Sequence, residues 1–315
     1  MAATHSRLSG FTAGVATVLV TALTATLTAT LTTTLATTLA TTLATMFATT
    51  TSLAAQWPPF IAPSVPRTTD GKPNLAAPTP RTPDGKPDFS GNWIRGDGQL
   101  GPAGGGTVVV PGPPFSPGPP VTTFRNVAAN MKEGLPLQPS AADLMKKRNA
   151  ENSKDNPDAH CLPMGVMQFH NHGMPRKMVQ APGLVTIAYE ANYGLRYIFM
   201  DGRTLPSQDA QPWWYGYSVG RWDGDTLVVE STGFRDDQWL DIIGNPMTDA
   251  ARLTERFRRP NYGTLEIDVT IDDPKAYTRP WTVRVNQRLQ AEGELMEFIC
   301  LENQQFDDYL SRQKP

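Results

Sequence analysis

The chain has none of the short signatures that mark the common enzyme classes. It contains no Gly-x-Ser-x-Gly elbow, no phosphate-binding P-loop, no dinucleotide-binding glycine fingerprint and no His-Glu-x-x-His sequence. Each of those patterns places a nucleophile, a phosphate group or a metal where its chemistry requires it. Serine hydrolase, nucleotide-binding and zincin functions therefore lose their support, and we expect fold and compartment to be more informative than any catalytic motif.

An excess of positive charge is also missing. The 28 basic and 30 acidic side chains leave a formal net charge of -2. A protein that binds nucleic acid presents clustered positive charge, so we expect no nucleic-acid partner. The one basic cluster is interpreted as a solvated strand face, and it comprises Arg252, Arg256, Arg258 and Arg259.

Acidic residues are absent before Asp70, and Arg7 is the only strongly charged side chain among residues 1–55. An apolar stretch over 11–27 and small residues at 52–55 are typical of a secretory leader, so we predict a signal peptide over 1–55. An uncleaved membrane anchor is the alternative, because the segment is long enough to span a bilayer. We expect a periplasmic or extracellular protein, with no transmembrane segment after leader cleavage.

Only two cysteines occur, and they flank the strand-rich part of the chain: Cys161 and Cys300. An oxidising compartment allows them to pair, so we predict a disulfide between them. The alternative is a reactive or metal-binding Cys161 beside His160.

Short segments of alternating apolar and polar residues follow one another over 176–301, separated by turns rich in Gly, Asn and Asp. Leu265, Ile267, Val269 and Ile271 share one face of such a segment and are predicted to be core. About ten strands with short connections favour an all-β fold, a single antiparallel β-barrel domain over 89–315, and a β-sandwich is the alternative. One short helix is expected from Ser140, whose hydroxyl can cap it.

Proline is dense in residues 56–88, which contain a tandem repeat. Residues 66–75 read PRTTDGKPNL and residues 80–89 read PRTPDGKPDF. Two copies are too few for a solenoid. We expect an extended N-terminal strap with Asp-Gly turns that lies along the barrel.

Gly91-Asn92-Trp93 on the first predicted strand resembles the Gly-x-Trp signature of lipocalins and the wider calycin group. That resemblance implies that Trp93 closes one end of a barrel whose cavity takes a small, largely apolar ligand. A wider resemblance covers nearly all of the mature chain, to a family of secreted bacterial hypothetical proteins without an assigned activity. Its sequence blocks stand here at 84–93 (DGKPDFSGNW), 161–163 (CLP), 199–203 (FMDGR), 220–229 (GRWDGDTLVV), 254–257 (TERF) and 271–274 (IDDP).

Three histidines, His160, His170 and His172, fall within 13 residues. If 166–172 is extended, His170 and His172 point to one face and could act as two nitrogen ligands of a single transition metal, zinc or iron. His160 or a carboxylate would complete the set, and an open position could activate water. The alternative is a polar loop with hydrogen-bonded histidines, so the cofactor stays open.

Glu255 alternates onto the same face as Leu253 and Phe257, which makes it an inward-facing carboxylate. Burial without a partner is costly and would raise its pKa, which suits general acid or base catalysis together with His170 and His172. The alternative is a structural ion pair across strands, for which the candidate partners are Arg196, Arg221 and Arg284.

Trp213, Trp214 and Tyr217 lie on a segment that we interpret as a loop carrying a flat aromatic platform near the barrel mouth. Such rings can stack on a sugar or an aromatic ligand, or they can plug the barrel end. The polar residues expected to contact the same ligand are Asp201, Arg203 and Arg221.

Three functional hypotheses follow. The first is an exported β-barrel that binds a small amphipathic or aromatic molecule in its cavity. The second is a secreted hydrolase, lyase or isomerase that uses His170, His172 and Glu255, with or without a metal. The third is a cell-envelope interaction protein tethered by the proline-rich strap.

Overall fold

The computed structural model describes residues 64–96, 112–207 and 210–300. These residues fall within one unit of the chain, Pro59–Pro315. The predicted leader over 1–55 lies outside the described residues. Within the described ranges, no helix is long and apolar enough to cross a membrane.

Strand is the main regular secondary structure of the described residues, and nine strands close into a barrel in the order β1-β11-β10-β9-β6-β5-β4-β3-β2. The two-residue strands β7 and β8 pair with each other outside it. This confirms the prediction of an all-β barrel with one short helix. The strands are β1 (Gly91–Arg95), β2 (Arg176–Ala181), β3 (Leu184–Tyr189), β4 (Leu195–Phe199), β5 (Tyr217–Asp223), β6 (Thr226–Thr232), β7 (Gln238–Trp239), β8 (Pro246–Met247), β9 (Arg252–Asn261), β10 (Thr264–Asp272) and β11 (Trp281–Leu289).

One strand pair departs from the expected antiparallel arrangement. β4 and β5 run parallel, with Ile198 opposite Ser218, while the other neighbouring barrel strands are antiparallel. A parallel pair needs a connection of roughly a dozen residues or more, because the chain must return to the same end of the sheet. Residues 200–216 provide that length.

The barrel core follows the alternation of the sequence. Leu265, Ile267, Val269 and Ile271 on β10 are all buried, as predicted. The β5–β6 hairpin turns at Gly224, whose positive φ of 57° suits glycine in a tight turn. Local side-chain periodicity and turn chemistry therefore place these strands.

The helix α1 (Pro139–Ala150) begins one residue before the predicted Ser140, and Gln138 is its N-cap residue without a side-chain capping bond. Pro139 takes the first helical position, where its fixed φ suits the helix and its missing N–H costs nothing. The predicted Ser140 cap is therefore wrong.

The second helix, α2 (Val166–Asn171), replaces the extended segment considered over 166–172. All six of its residues are buried. A helix satisfies part of its own backbone hydrogen bonding, which a buried extended segment cannot do. The Arg176 guanidinium donates to the carbonyl oxygens of His170 at 2.6 Å and His172 at 2.9 Å, which satisfies the C-terminal end of α2.

The second repeat of the strap leads directly into β1. Phe89 is fully buried and its ring stacks on Trp222 with centroids 5.7 Å apart. The Trp93 indole N–H donates to the Phe89 carbonyl oxygen at 2.8 Å. These contacts attach the strap to the barrel.

The predicted disulfide is present. Cys161 follows a 3₁₀ turn (Pro157–His160), and its sulfur is bonded to that of Cys300, with the two Cα atoms 5.5 Å apart. The bond joins the segment before α2 to the segment after β11.

Candidate functional site

A charged hydrogen-bonded cluster lies inside the barrel, where α2 meets the inner faces of four strands. Glu255 on β9 accepts a hydrogen bond from Nη1 of Arg196 on β4 at 3.0 Å, and the second carboxylate oxygen accepts from Nη2. His170 on α2 contacts the same carboxylate through Nε2 at 2.6 Å. Ser218 on β5 and Ser231 on β6 accept bonds from Arg196, each at 3.0 Å from Nη2.

Arg196 determines the protonation state of Glu255. Burial by itself would raise the pKa of this carboxyl, as we expected from the sequence. The charge of Arg196 and the hydrogen bonds from His170 and Arg196 outweigh burial and lower the pKa of Glu255 to about 2. The expected upward shift is therefore wrong, and Glu255 is an ionised carboxylate at neutral pH.

His170 is neutral in this environment, because burial lowers the pKa of its imidazole more than Glu255 raises it. The neutral ring donates from Nε2 to Glu255, which leaves Nδ1 as the acceptor. Nδ1 is buried and has no hydrogen-bond partner among the described residues.

Glu255 and Arg196 form an ion pair across strands, which was the structural alternative to a catalytic role for Glu255. Glu255, Arg196 and His170 are each at most 1% exposed, so a substrate in solvent does not touch them in this conformation. Of the candidate partners, Arg196 is the one that binds Glu255. Arg221 instead lies 3.7 Å from Glu230 at the surface, and Arg284 binds Asp268 at 2.5 Å. A catalytic role for Glu255, His170 and His172 stays a prediction.

The three histidines proposed as metal ligands have different surroundings. His160 Nε2 lies 2.7 Å from the Lys154 carbonyl oxygen. The His172 ring packs edge-on against Phe124 and its Nδ1 accepts from the Met174 amide at 3.1 Å. Burial lowers the pKa of His172 to about 4. Over the described ranges, no three His, Cys, Asp or Glu side chains form a metal-binding group, so a zinc or iron site here stays a prediction without a preformed ligand set.

The residues predicted to contact a ligand separate into two places. Trp213 and Tyr217 lie on the outer wall with ring centroids 5.4 Å apart, and Tyr217 is on β5 rather than on a loop. Arg203 Nη1 donates to the Tyr217 hydroxyl at 3.0 Å, and its Nε donates to Asp201 at 2.8 Å. Trp214 lies elsewhere, at a surface cleft.

The outer-wall rings do not form the flat platform that we expected. Tyr217 stacks on Phe199 at 5.1 Å, and Phe199 stacks on Tyr197 at 6.4 Å, with the planes within 27° of each other. The Arg203 guanidinium lies over Phe199 as well. Trp213 and Tyr197 stay 39% and 46% exposed, so a ligand contact at Trp213 and Tyr217 stays a prediction.

The surface cleft has a volume of about 330 Å³ and is formed by three separate parts of the chain. The first part is α1 with the residues that follow it, and the second is the 3₁₀ turn beside the disulfide. The third comprises Trp214 together with Asp237 and with Trp239 of β7. The side chains that line it are Leu144, Lys147, Arg148, Glu151, Asp155, Pro157, His160, Leu162, Trp214, Asp237 and Trp239.

The acidic side chains of the cleft are paired. Lys154 Nζ lies 3.0 Å from Glu151 and 2.7 Å from Asp155. Arg235 lies 3.2 Å from Asp237, and its guanidinium also covers one face of Trp214 at 4.4 Å. Two cations thus partly compensate three carboxylates at the surface, and one negative charge remains.

Two cations of the cleft form no direct ion pair with another described residue, although Asp237 and Asp155 interact with the Arg148 charge at longer range. Lys147 and Arg148 form no salt bridge to a carboxylate in the part of the chain that the structure describes. Arg148 stacks on Trp239 with 4.3 Å from its guanidinium carbon to the ring centroid. Burial lowers the pKa of Arg148 to about 10, so it still carries its charge at neutral pH.

Sequence reasoning missed most of this cleft. Trp214 was identified as a ligand contact, but Leu144, Lys147, Arg148 and Trp239 were not. The basic end of α1 at 146–148 is a local signal, yet helix ends are commonly basic for reasons of the helix dipole. Only the tertiary structure brings these residues to Trp214.

Comparison with protein-family models, with curated proteins and with solved structures finds no match to this chain. The resemblances to calycins and to a family of secreted bacterial proteins stay predictions.

Proposed function

We propose that this protein is an exported β-barrel that binds a small amphipathic anion, with an aromatic or apolar body, in the cleft beside α1. The observation that carries the proposal is the combination of two indole rings with two cations that have no carboxylate partner among the described residues. We therefore propose that the ligand binds outside the barrel rather than in its interior, where α2 and the buried cluster lie.

The size and lining of the cleft support a small ligand. Its volume of about 330 Å³ lies at the lower end of the range of small-molecule sites, about 300–1,000 Å³. Leu144 and Leu162 are 39% and 46% exposed, which is unusual for leucine and leaves apolar surface for a ligand body to cover. Trp214 and Trp239 add aromatic surface.

The charges of the cleft support an anionic group on that ligand. Glu151, Asp155 and Asp237 are paired with two cations, Lys154 and Arg235, so one negative charge remains, which is fewer than the two positive charges of Lys147 and Arg148. Lys147 and Arg148 then leave a positive excess that attracts a carboxylate, sulfonate or phosphate. A partly buried cation such as Arg148 interacts with an anion more strongly than a fully solvated one does.

Export is part of the proposal and has separate support. The Cys161–Cys300 disulfide is typical of an oxidising compartment, and residues 1–55 have the composition of a leader. A ligand encountered there comes from outside the cytoplasm.

Binding of matched probes tests the proposal. Naphthalene-2-carboxylate and the uncharged naphthalene-2-carboxamide share a body and differ in charge, and calorimetry on the mature protein measures both. We expect the carboxylate to bind several-fold more tightly. Lys147→Glu reverses a cation of the cleft and should weaken carboxylate binding by about fivefold or more.

Lys146→Glu is the matched control, because Lys146 is the adjacent residue of α1, is exposed and does not line the cleft. It should leave the affinity unchanged. Equal affinities for the two probes, or equal effects of Lys147→Glu and Lys146→Glu, would refute the proposed site.

A further inference from the structure

The two copies of the strap repeat fold in the same way. In the first copy, Arg67 Nη1 donates to the Gly71 carbonyl oxygen at 2.7 Å, and in the second copy Arg81 Nη1 donates to Gly85 at 2.7 Å. The backbone bond from Thr68 N to Lys72 O at 2.8 Å likewise has its counterpart from 82 to 86 at 2.9 Å. Each repeat is thus a small closed loop that presents one arginine and one lysine.

The second repeat uses those two side chains to bind the β5–β6 hairpin. Arg81 forms a two-pronged contact with Asp225, Nη1 to Oδ1 at 2.9 Å and Nη2 to Oδ2 at 2.6 Å. Lys86 donates to the Gly224 carbonyl oxygen at 3.3 Å and lies over the Trp222 ring at 5.8 Å. The loop therefore recognises a Trp-Asp-Gly-Asp turn, through charge, backbone and aromatic contacts.

The first repeat presents the same side chains without such a turn. It lies against the β9–β10 turn, where Gly263 N donates to Leu75 O at 2.8 Å, and that turn reads Asn261-Tyr262-Gly263 and has no carboxylate. Arg67 is exposed and forms no ion pair in the described part of the chain, while Lys72 pairs only with Asp70 of its own loop.

We propose that the first repeat, residues 66–75, is a docking site for an acidic β-turn of a partner protein, with the Trp-Asp-Gly-Asp chemistry that the second repeat binds within this chain. The partner is a different protein rather than a second copy, because the Asp223–Asp225 turn of each copy is already held by its own second repeat. The contact of Arg81 with Asp225 inside this chain thus shows how Arg67 would bind an aspartate of the partner.

A peptide copy of the hairpin tests this. The probe is a fluorescently labelled, backbone-cyclised peptide of residues 219–230 (VGRWDGDTLVVE), and anisotropy measures its binding to the intact mature protein. We expect a dissociation constant of about 0.1–1 mM, because exposed ion pairs contribute little affinity each. Raising the ionic strength should weaken binding.

Arg67→Glu should weaken binding by about tenfold or more, since it replaces attraction to the aspartate by repulsion. Arg279→Glu, the same change at an exposed arginine far along the chain, should have no effect. The peptide with Asp225→Asn should bind several-fold more weakly to the wild-type protein. These variants change exposed side chains, so unfolding does not obscure the result.

Three outcomes would overturn the proposal. The first is no saturable binding up to about 5 mM peptide, a concentration well above the expected dissociation constant. The second is binding that Arg67→Glu leaves unchanged. The third is binding that Arg81→Glu abolishes and Arg67→Glu does not, because the peptide would then be exchanging with the hairpin held by the second repeat.

Discussion

At the scale of single residues, the partner of a buried group determines what that group can do. Glu255 is fully buried, and burial alone would make it a weak acid suited to proton transfer. Arg196 reverses that expectation and lowers the pKa to about 2. The same carboxylate holds α2 through His170, so its charge contributes to folding.

The first prediction concerns this ion pair. Glu255→Gln leaves the Arg196 charge buried without a carboxylate, so we expect the free energy of unfolding to fall by about 3–5 kcal/mol. Urea titration at pH 7 measures the loss. Ser231→Ala is the control in the same cluster, because it removes only the hydrogen bonds to Arg196 and Ser218 and should cost about 1–2 kcal/mol. A Glu255→Gln protein as stable as wild type would contradict the structural role.

The second prediction concerns acid. The unfolded state takes up a proton on His172 near the ordinary pKa of 6.5, whereas burial delays this uptake in the folded state to about pH 4. Stability is therefore fully present above pH 6.5 and falls as the pH is lowered toward 4, by about 3 kcal/mol in total.

His172→Phe removes that titration and keeps a ring against Phe124. Its free energy of unfolding, measured in urea between pH 7 and pH 4, should fall less steeply than that of wild type. The curve keeps some slope, because burial also lowers the pKa of His170. Parallel curves for the two proteins would show that His172 does not contribute.

At the scale of elements, segments that are not barrel strands pack against the closed barrel. α2 lies inside, and the residue that ends each repeat attaches the strap to the barrel. Phe89 of the second repeat is fully buried, whereas Leu75, at the same position of the first repeat, is only partly buried. Equivalent positions of one repeat therefore have different energetic roles.

The third prediction compares these two positions. Phe89→Ala should lower the free energy of unfolding by about 3–5 kcal/mol, since it removes a buried ring stacked on Trp222. Leu75→Ala should cost about 1 kcal/mol, because less of its surface is removed from water. Urea unfolding of both variants measures the difference, and equal losses would contradict the assignment of Phe89 as the anchoring residue.

At the scale of the whole molecule, one covalent bond joins the two flanks of the strand-rich region. Cys161 and Cys300 are separated by 139 residues, so the disulfide encloses every barrel strand except β1. Cys161 also lies between His160 and Leu162, which line the cleft. The bond therefore affects both the stability of the barrel and one wall of the proposed ligand site.

The fourth prediction is the cost of losing this bond. The double variant Cys161→Ser, Cys300→Ser should be less stable by roughly 5 kcal/mol on the chain-entropy account of a loop this long. Urea unfolding of the variant and of wild type with and without reductant measures it. Reduced wild type should match the variant, and a loss below about 1 kcal/mol would show that the bond constrains the unfolded chain little.

The sequence by itself determined the features that depend on near neighbours. Alternation along β10 identified its buried face, and Asp223-Gly224-Asp225 identified a tight hairpin. The disulfide was predicted from the presence of just two cysteines and from the expected oxidising compartment. Strand periodicity and turn geometry arise from sterics within a few residues, so they can be predicted without knowledge of the fold.

Only the tertiary structure decided the features that depend on distant parts of the chain. Arg196 binds Glu255, which is 59 residues away in the sequence. α2 is fully buried, where a helix satisfies part of its own backbone hydrogen bonding. The cleft brings α1 together with Trp214 and Trp239. Barrel closure and strand register determine these contacts. A local sequence pattern does not predict which distant side chain will lie opposite a given residue. For the same reason, the strand position of Glu255 predicted an inward-facing carboxylate, but its lowered pKa followed only from its contact with Arg196.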